Sequence, residues 1–264
     1  MFNLLRADVY TLNRSKVWWV LSGIITVLAF FLVFFPYLEK IGAFDTIETM
    51  DNTGLDELSS IQITVEALSQ PDVFFSTLIF SALAAFFISS EYSNGTIKNV
   101  TSMGYRRVFI YLSKMSVFTV GGIILIMLFY VIPATFGALF FGVGEWPAKE
   151  ILIDTGKILL LSLLYYVALA AIVTFFSFLC RGSGTALLTS FGFYLLVGTG
   201  FSFLGAQYTF WEKFNEYSVY HLFSTIGERV TQQGEMFHLI GVPIGTIIIF
   251  TTLGLILFQR KDIQ

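Results

Sequence analysis

The chain has 264 residues, of which 56% are hydrophobic, 17% aromatic and only 12% charged, with a mean hydropathy of +0.78. A soluble domain carries about twice that share of charge, so this sequence is built for lipid, and 30 phenylalanines in long uncharged runs exclude a disordered chain. A single cysteine, Cys180, excludes an intramolecular disulfide framework and a zinc cluster of several thiolates.

In chain order, residues 1–16 come first as a short interfacial helix, with Phe2, Leu5, Val9 and Leu12 on one side and Arg14 and Lys16 facing lipid phosphates. Six stretches then contain no Asp, Glu, Lys, Arg or His: Val17–Phe35, Val73–Ser90, Val117–Phe141, Ile158–Cys180, Thr185–Ala206 and Leu239–Phe258. Each approaches the roughly 20 apolar residues a helix needs to cross the hydrocarbon core. The first is followed by Pro36-Tyr37-Leu38-Glu39 rather than a small-x-small cleavage site, so it is expected to stay in the protein. No myristoylation or prenylation signal is present.

Between the first two spans, the acidic loop 36–72 predicts a helix from about Leu55 to Leu68, serving as a cap on the membrane or as a lid over a substrate path. Pro133 should bend the third span near its far end. In the fifth and sixth spans, Gly192, Gly198, Gly200, Gly205, Gly241 and Gly245 mark close helix contact. The loop 207–238 interleaves Tyr208, Phe210, Trp211, Phe214, Tyr217 and Tyr220 with Glu212, Lys213 and Glu216, which reads as an aromatic belt or a partly re-entrant hairpin, and secondarily as a grip for an amphipathic substrate. No internal repeat is evident, and the whole of 1–264 is expected to form one transmembrane domain.

Six spans put both termini on one side. That side holds Arg6, Arg14, Lys16, Lys98, Arg106, Arg107, Lys114, Arg181, Arg260 and Lys261 against three acids, Asp8, Glu91 and Asp262. The other holds five bases against fifteen acids, eight of them between Glu39 and Asp72. Positive residues are retained in the cytoplasm, so both termini and the loops 91–116 and 181–184 are expected there.

Missing chemistry narrows the function. The spans carry no ionisable group with which to bind a driving ion, so uphill transport would have to draw its energy from outside the membrane. The nearest approach to a nucleotide loop, Gly142 to Lys149, has the wrong spacing and a proline, and the chain is not expected to be an ATPase or another enzyme, nor to bind a cofactor, metal or nucleic acid. Arg181-Gly182-Ser183-Gly184 reads as a tight helical hairpin rather than a nucleophile elbow. His221 and His238 leave a haem site or intramembrane enzyme as an alternative.

The stretch after the second span carries the most information. Glu91 stands at the membrane border, Ser93-Asn94-Gly95 forms a turn in which Asn94 is placed to cap a short helix, and that helix puts Ile97 and Val100 on one face and Lys98 on another. From these residues alone it is either a docking element or a basic loop held on anionic lipid.

A second span running into Glu-x-x-x-Gly-Thr-x-Lys, then Gly104-Tyr105-Arg106-Arg107 and a lysine at the start of the third span, resembles the permease subunits of ABC-2 type ABC transporters. The opening Leu4-Leu5-Arg6-Ala7-Asp8 through Trp18-Trp19 is similar to the bacitracin-resistance, lantibiotic-immunity and peptide-toxin-exporter branch, though Asp8 and Thr11 stand where many relatives carry Glu and Lys.

The resemblance implies an all-α integral membrane protein of the bacterial plasma membrane, with Glu91 to about Met103 as a coupling helix in a groove of a separate cytoplasmic ATPase. Its contact residues would be Glu91, Tyr92, Asn94, Gly95, Thr96, Ile97, Lys98, Val100, Arg106 and Arg107. ATP and Mg would be bound by that partner, and two permeases, identical or homologous, would open a path between them. An amphipathic or hydrophobic cargo such as an antimicrobial or toxic peptide, exported from the cell or membrane, suits uncharged spans. A membrane-anchored regulatory or mechanical partner of an ATPase is the alternative with the same fold.

Overall fold

Ser15 divides the N-terminal region into two helices. Its backbone is extended and its N–H donates to Leu12 O, while the Trp19 indole donates to Asn13 O at 2.9 Å and so satisfies a carbonyl at the first helix's open end. The chain therefore lies along α1 (Phe2–Arg14) and then turns into α2 (Lys16–Lys40). This computed structural model describes residues 2–41, 59–93, 95–144, 147–180, 182–231 and 236–260.

The remaining described helices are α3 (Ser60–Ser69), α4 (Val73–Ala84), α5 (Ser90–Ser93), α6 (Thr96–Ser102), α7 (Arg107–Phe140), α8 (Lys149–Leu179), α9 (Ser183–Tyr194), α10 (Phe201–Gly205), α11 (Thr209–Glu216), α12 (Val219–Ser224), α13 (Ile226–Thr231) and α14 (Met236–Arg260). Two π-helical turns, Ala85–Ser89 and Leu195–Gly200, join α4 to α5 and α9 to α10. The protein is all-α, with no strand among the described residues. Among the described residues, five helices are long and apolar enough to cross a membrane. The second span of the sequence reading is the exception: Val73–Ser89 qualifies only together with α3, to which it is bent by 75°.

Helix α3 starts later than the sequence predicted. Of that prediction, 55–58 lie outside the described residues, and Ser59 is not helical because it caps the helix. Its hydroxyl accepts from Gln62 N while the Gln62 side chain accepts from Ser59 N, a reciprocal capping box. Asp72 then caps α4 by accepting from Phe75 N at 2.9 Å. The third span is longer than expected: α7 begins at Arg107 and runs unbroken through Pro133.

The core sits on α8. In its most apolar stretch 67% of residues are buried, against 6% in Ser183–Gly205, so α8 is the centre of the bundle and the fifth span faces outward. The rings of Tyr111, Phe178 and Phe258 meet in turn, tilted and then edge-on, with centroids 4.7 and 4.9 Å apart, and tie α7, α8 and α14 together. The glycines that permit close approach are only in part those expected. A Cβ on Gly122 would meet the Phe80 ring at 2.5 Å, one on Gly121 would meet Leu12 at 2.7 Å, and one on Gly254 would overlap the Tyr111 hydroxyl, whereas Gly192, Gly241 and Gly245 face open space. Of the predicted set, Gly198 and Gly205 are close-packed, against Tyr194 and Glu212.

The contacts sort the helix termini into two ends. Arg107 donates to Phe258 O and Gln259 O, and Ser89 donates to Ser177 O, which places α1, α5, α6 and the adjoining termini of α7, α8 and α14 at one basic end. At the far end Ser60 N donates to Gly142 O, Tyr37 stacks on Phe140 at 4.6 Å, and Gly205 abuts α11.

Candidate functional site

At the basic end the amphipathic face of α1 differs from the one its apolar spacing suggests. Leu4, Asp8 and Leu12, one helical turn apart, are buried, Leu5 is half-buried and Val9 is exposed. The reason is Asp8. Its carboxylate accepts from Lys114 Nζ at 2.9 Å and from Ser113 Oγ at 2.5 Å, so the helix rolls to deliver a charged residue into the interior. Lys114 also contacts Glu91 Oε2 at 2.5 Å, and its ammonium lies 5.4 Å from the Phe87 ring centroid. One buried cation thus holds two carboxylates from α1 and α5 against α7.

Helix α7 reaches back to Arg107, so Lys114 lies on the same continuous helix as the uncharged stretch 117–140, just ahead of it. A buried charge of this kind is tolerated when it is paired. Glu91 stands just beyond the 73–89 span, where burial pushes its carboxyl above the ordinary value, the Lys114 charge opposes that rise and Asp8 adds to it.

The expected docking segment forms as two pieces rather than one helix. Glu91 and Tyr92 lie in α5, a continuation of the second span. Gly95, at φ +71°, makes the left-handed turn that a side chain would strain, and it occupies the cap position of α6 in place of the expected Asn94, which lies outside the described residues. Within α6, Ile97 is fully buried and Val100 packs against the core, while Thr96 is exposed. Lys98 is on the same helix. Arg106 is exposed ahead of α7, and Arg107 is half-buried, closing the carbonyl end of α14.

The structure thus brings Glu91, Ile97, Val100 and Arg107 into one packed unit at the basic end and leaves Thr96 and Arg106 at its surface. Sequence reasoning missed Asp8, Ser113 and the role of Lys114. Asp8 as the lone acid among bases before the first span was the available signal.

At the far end, the segment read as an aromatic belt or partly re-entrant hairpin folds over 207–231 as three short helices, α11 to α13; 232–235 lie outside the described residues. Phe201 stacks on Trp211 at 4.8 Å and Tyr194 meets Tyr220 at 5.0 Å, so this region packs on the fifth span through rings.

A comparison with curated proteins returned no match. The family model for ABC-2 family transporter proteins matches residues 4–198, from α1 through the π-helical turn of the fifth span, and so includes every member of the buried ion cluster and the whole of α6. With most of its length matched and its membrane-class helices in place, the chain belongs to the ABC-2 transporter family, as a membrane permease component.

Proposed function

We propose that the chain is the transmembrane subunit of an ATP-driven exporter that moves an amphipathic or hydrophobic compound, of the antimicrobial or toxic peptide class, out of the cell or membrane. The basic end faces the cytoplasm, where α6 and the turn before it dock on a separate ATPase that binds ATP and Mg. A second permease copy or homologue completes the path in the plasma membrane.

The observation that carries this reading is the Asp8–Lys114–Glu91 cluster. It locks the surface helix, the end of the second span and the start of α7 into one body next to α6. A push on α6 is then passed to the second span rather than absorbed locally. The second and fifth spans, whose aromatic rings meet at Phe74 and Phe191, each contain a π-helical turn, a feature frequent at functional sites. An ATP-dependent contact shifts such a structure only by binding its two arrangements unequally.

The test is to express the chain with its genomic neighbours, purify it in mild detergent, and compare it with Gly95→Val. The substitution strains a left-handed turn by about 1–2 kcal/mol without touching the core. A soluble ATPase should co-purify, and Gly95→Val should keep membrane insertion and basal hydrolysis but lose transport in sealed vesicles. Normal transport by the variant would overturn the docking role. Wild-type hydrolysis without vectorial movement would instead identify a mechanical or regulatory partner.

A further inference from the structure

Beside α11 and α12 a cavity of about 480 Å³ opens between α8, the fifth span and α14, within the range of small-ligand sites. Its walls are apolar and aromatic, with Phe193, Phe214, Tyr217 and Phe250 among them, and among the described residues its one charged wall residue is Lys213. Glu212 and Glu216 flank Lys213 on α11, but neither lines the cavity, and Lys213 forms no ion pair among the described residues. Two further wall residues, Ser218 and Tyr220, bury hydroxyl groups that have no hydrogen-bond partner. Buried hydroxyls are ordinarily satisfied, and a lone lysine at the membrane border extends its ammonium to the level of lipid phosphates.

We propose that this cavity binds an anionic phospholipid, one acyl chain lying among the rings and the headgroup phosphate at Lys213. Aromatic and branched side chains match a hydrocarbon chain, the ammonium matches a phosphate, and a headgroup with no cation of its own avoids repulsion by Lys213. The site requires only the membrane-embedded fold, so it stands whether or not the chain exports a peptide.

Native mass spectrometry of the full chain, titrated with equimolar phosphatidylglycerol and phosphatidylcholine of identical acyl chains, tests the assignment. Wild type should retain phosphatidylglycerol about fivefold over phosphatidylcholine, the effect of one lysine near a headgroup. Lys213→Gln should bring that ratio close to one, and Lys149→Gln, an exposed lysine at the start of α8, should leave it unchanged. Val242→Phe, which fills the cavity, should reduce retention of both lipids. Equal retention by wild type, a preference for choline through the aromatic walls, an equal effect of Lys149→Gln, or undiminished retention by a folded Val242→Phe would each overturn the proposal.

Discussion

The two ends of the bundle bury polar groups in opposite ways. At the basic end the buried charges among the described residues have partners: Lys114 holds Asp8 and Glu91, Ser113 donates to Asp8, and Arg107 donates to the last carbonyls of α14. Toward the far end, many of the contacts are made by rings, such as Tyr165 on Phe223 at 5.1 Å, and the hydroxyls of Ser218 and Tyr220 are left unpaired. Paired charges are directional and admit few arrangements, whereas ring contacts are broad and repack at little cost. The contrast separates a part held in one arrangement by paired charges from a part held mainly by apolar ring contacts.

The largest expected effect comes from removing the shared cation. Lys114→Met leaves two buried carboxylates facing each other and should cost about 3–5 kcal/mol, read as a lower unfolding midpoint in detergent. Replacing all three charges, as Asp8→Leu, Glu91→Leu and Lys114→Met together, should recover most of that stability, because a packed apolar cluster often equals a buried ion pair. Transport should stay impaired in the triple variant if the ion cluster specifies geometry. A triple variant as unstable as Lys114→Met alone would show that packing, not charge, governs this end.

Much of this division was legible in the sequence, and the exceptions have a common cause. Membrane helices announce themselves by the length of their uncharged runs, and Ile97 and Val100 declare the inward face of α6 by their spacing. The pairing of Lys114 was not legible because a hydropathy reading ends a span at the first charge, while the helix continues back to Arg107 through a charge that finds partners. Asp8 was missed because its partners are more than a hundred residues away in the sequence. The packing glycines were mistaken because glycine frequency signals close approach in general, whereas the actual approach depends on which face meets Phe80, Leu12 or Tyr111.

A smaller effect sharpens the comparison within the apolar core. Gly254→Val places a methyl-bearing carbon against the Tyr111 hydroxyl between α14 and α7 and should cost about 1–3 kcal/mol, while Gly241→Val, on the same helix but facing open space, should stay within about 0.5 kcal/mol in a detergent unfolding series. Comparable losses at both positions would mean that this single close approach does not set the spacing of α14 against α7.

The smallest effect concerns His221 on α12 at the far end. Burial and the charge of Arg229 lower its pKa below the ordinary 6.5, against the opposing pull of Glu216 and Glu228. A histidine whose folded value is depressed binds its proton more tightly in the unfolded chain. Its contribution is therefore whole above about pH 6.5 and is lost as pH falls toward the folded value. Because the ring is half-buried, solvent screens most of the penalty, and the shift in unfolding midpoint should be modest. Wild type should lose slightly more stability than His221→Gln between about pH 7.5 and pH 5. Parallel pH curves for the two would mean that α12 opens readily enough to hydrate the imidazole, which would extend the adaptability of the far end from its rings to its backbone.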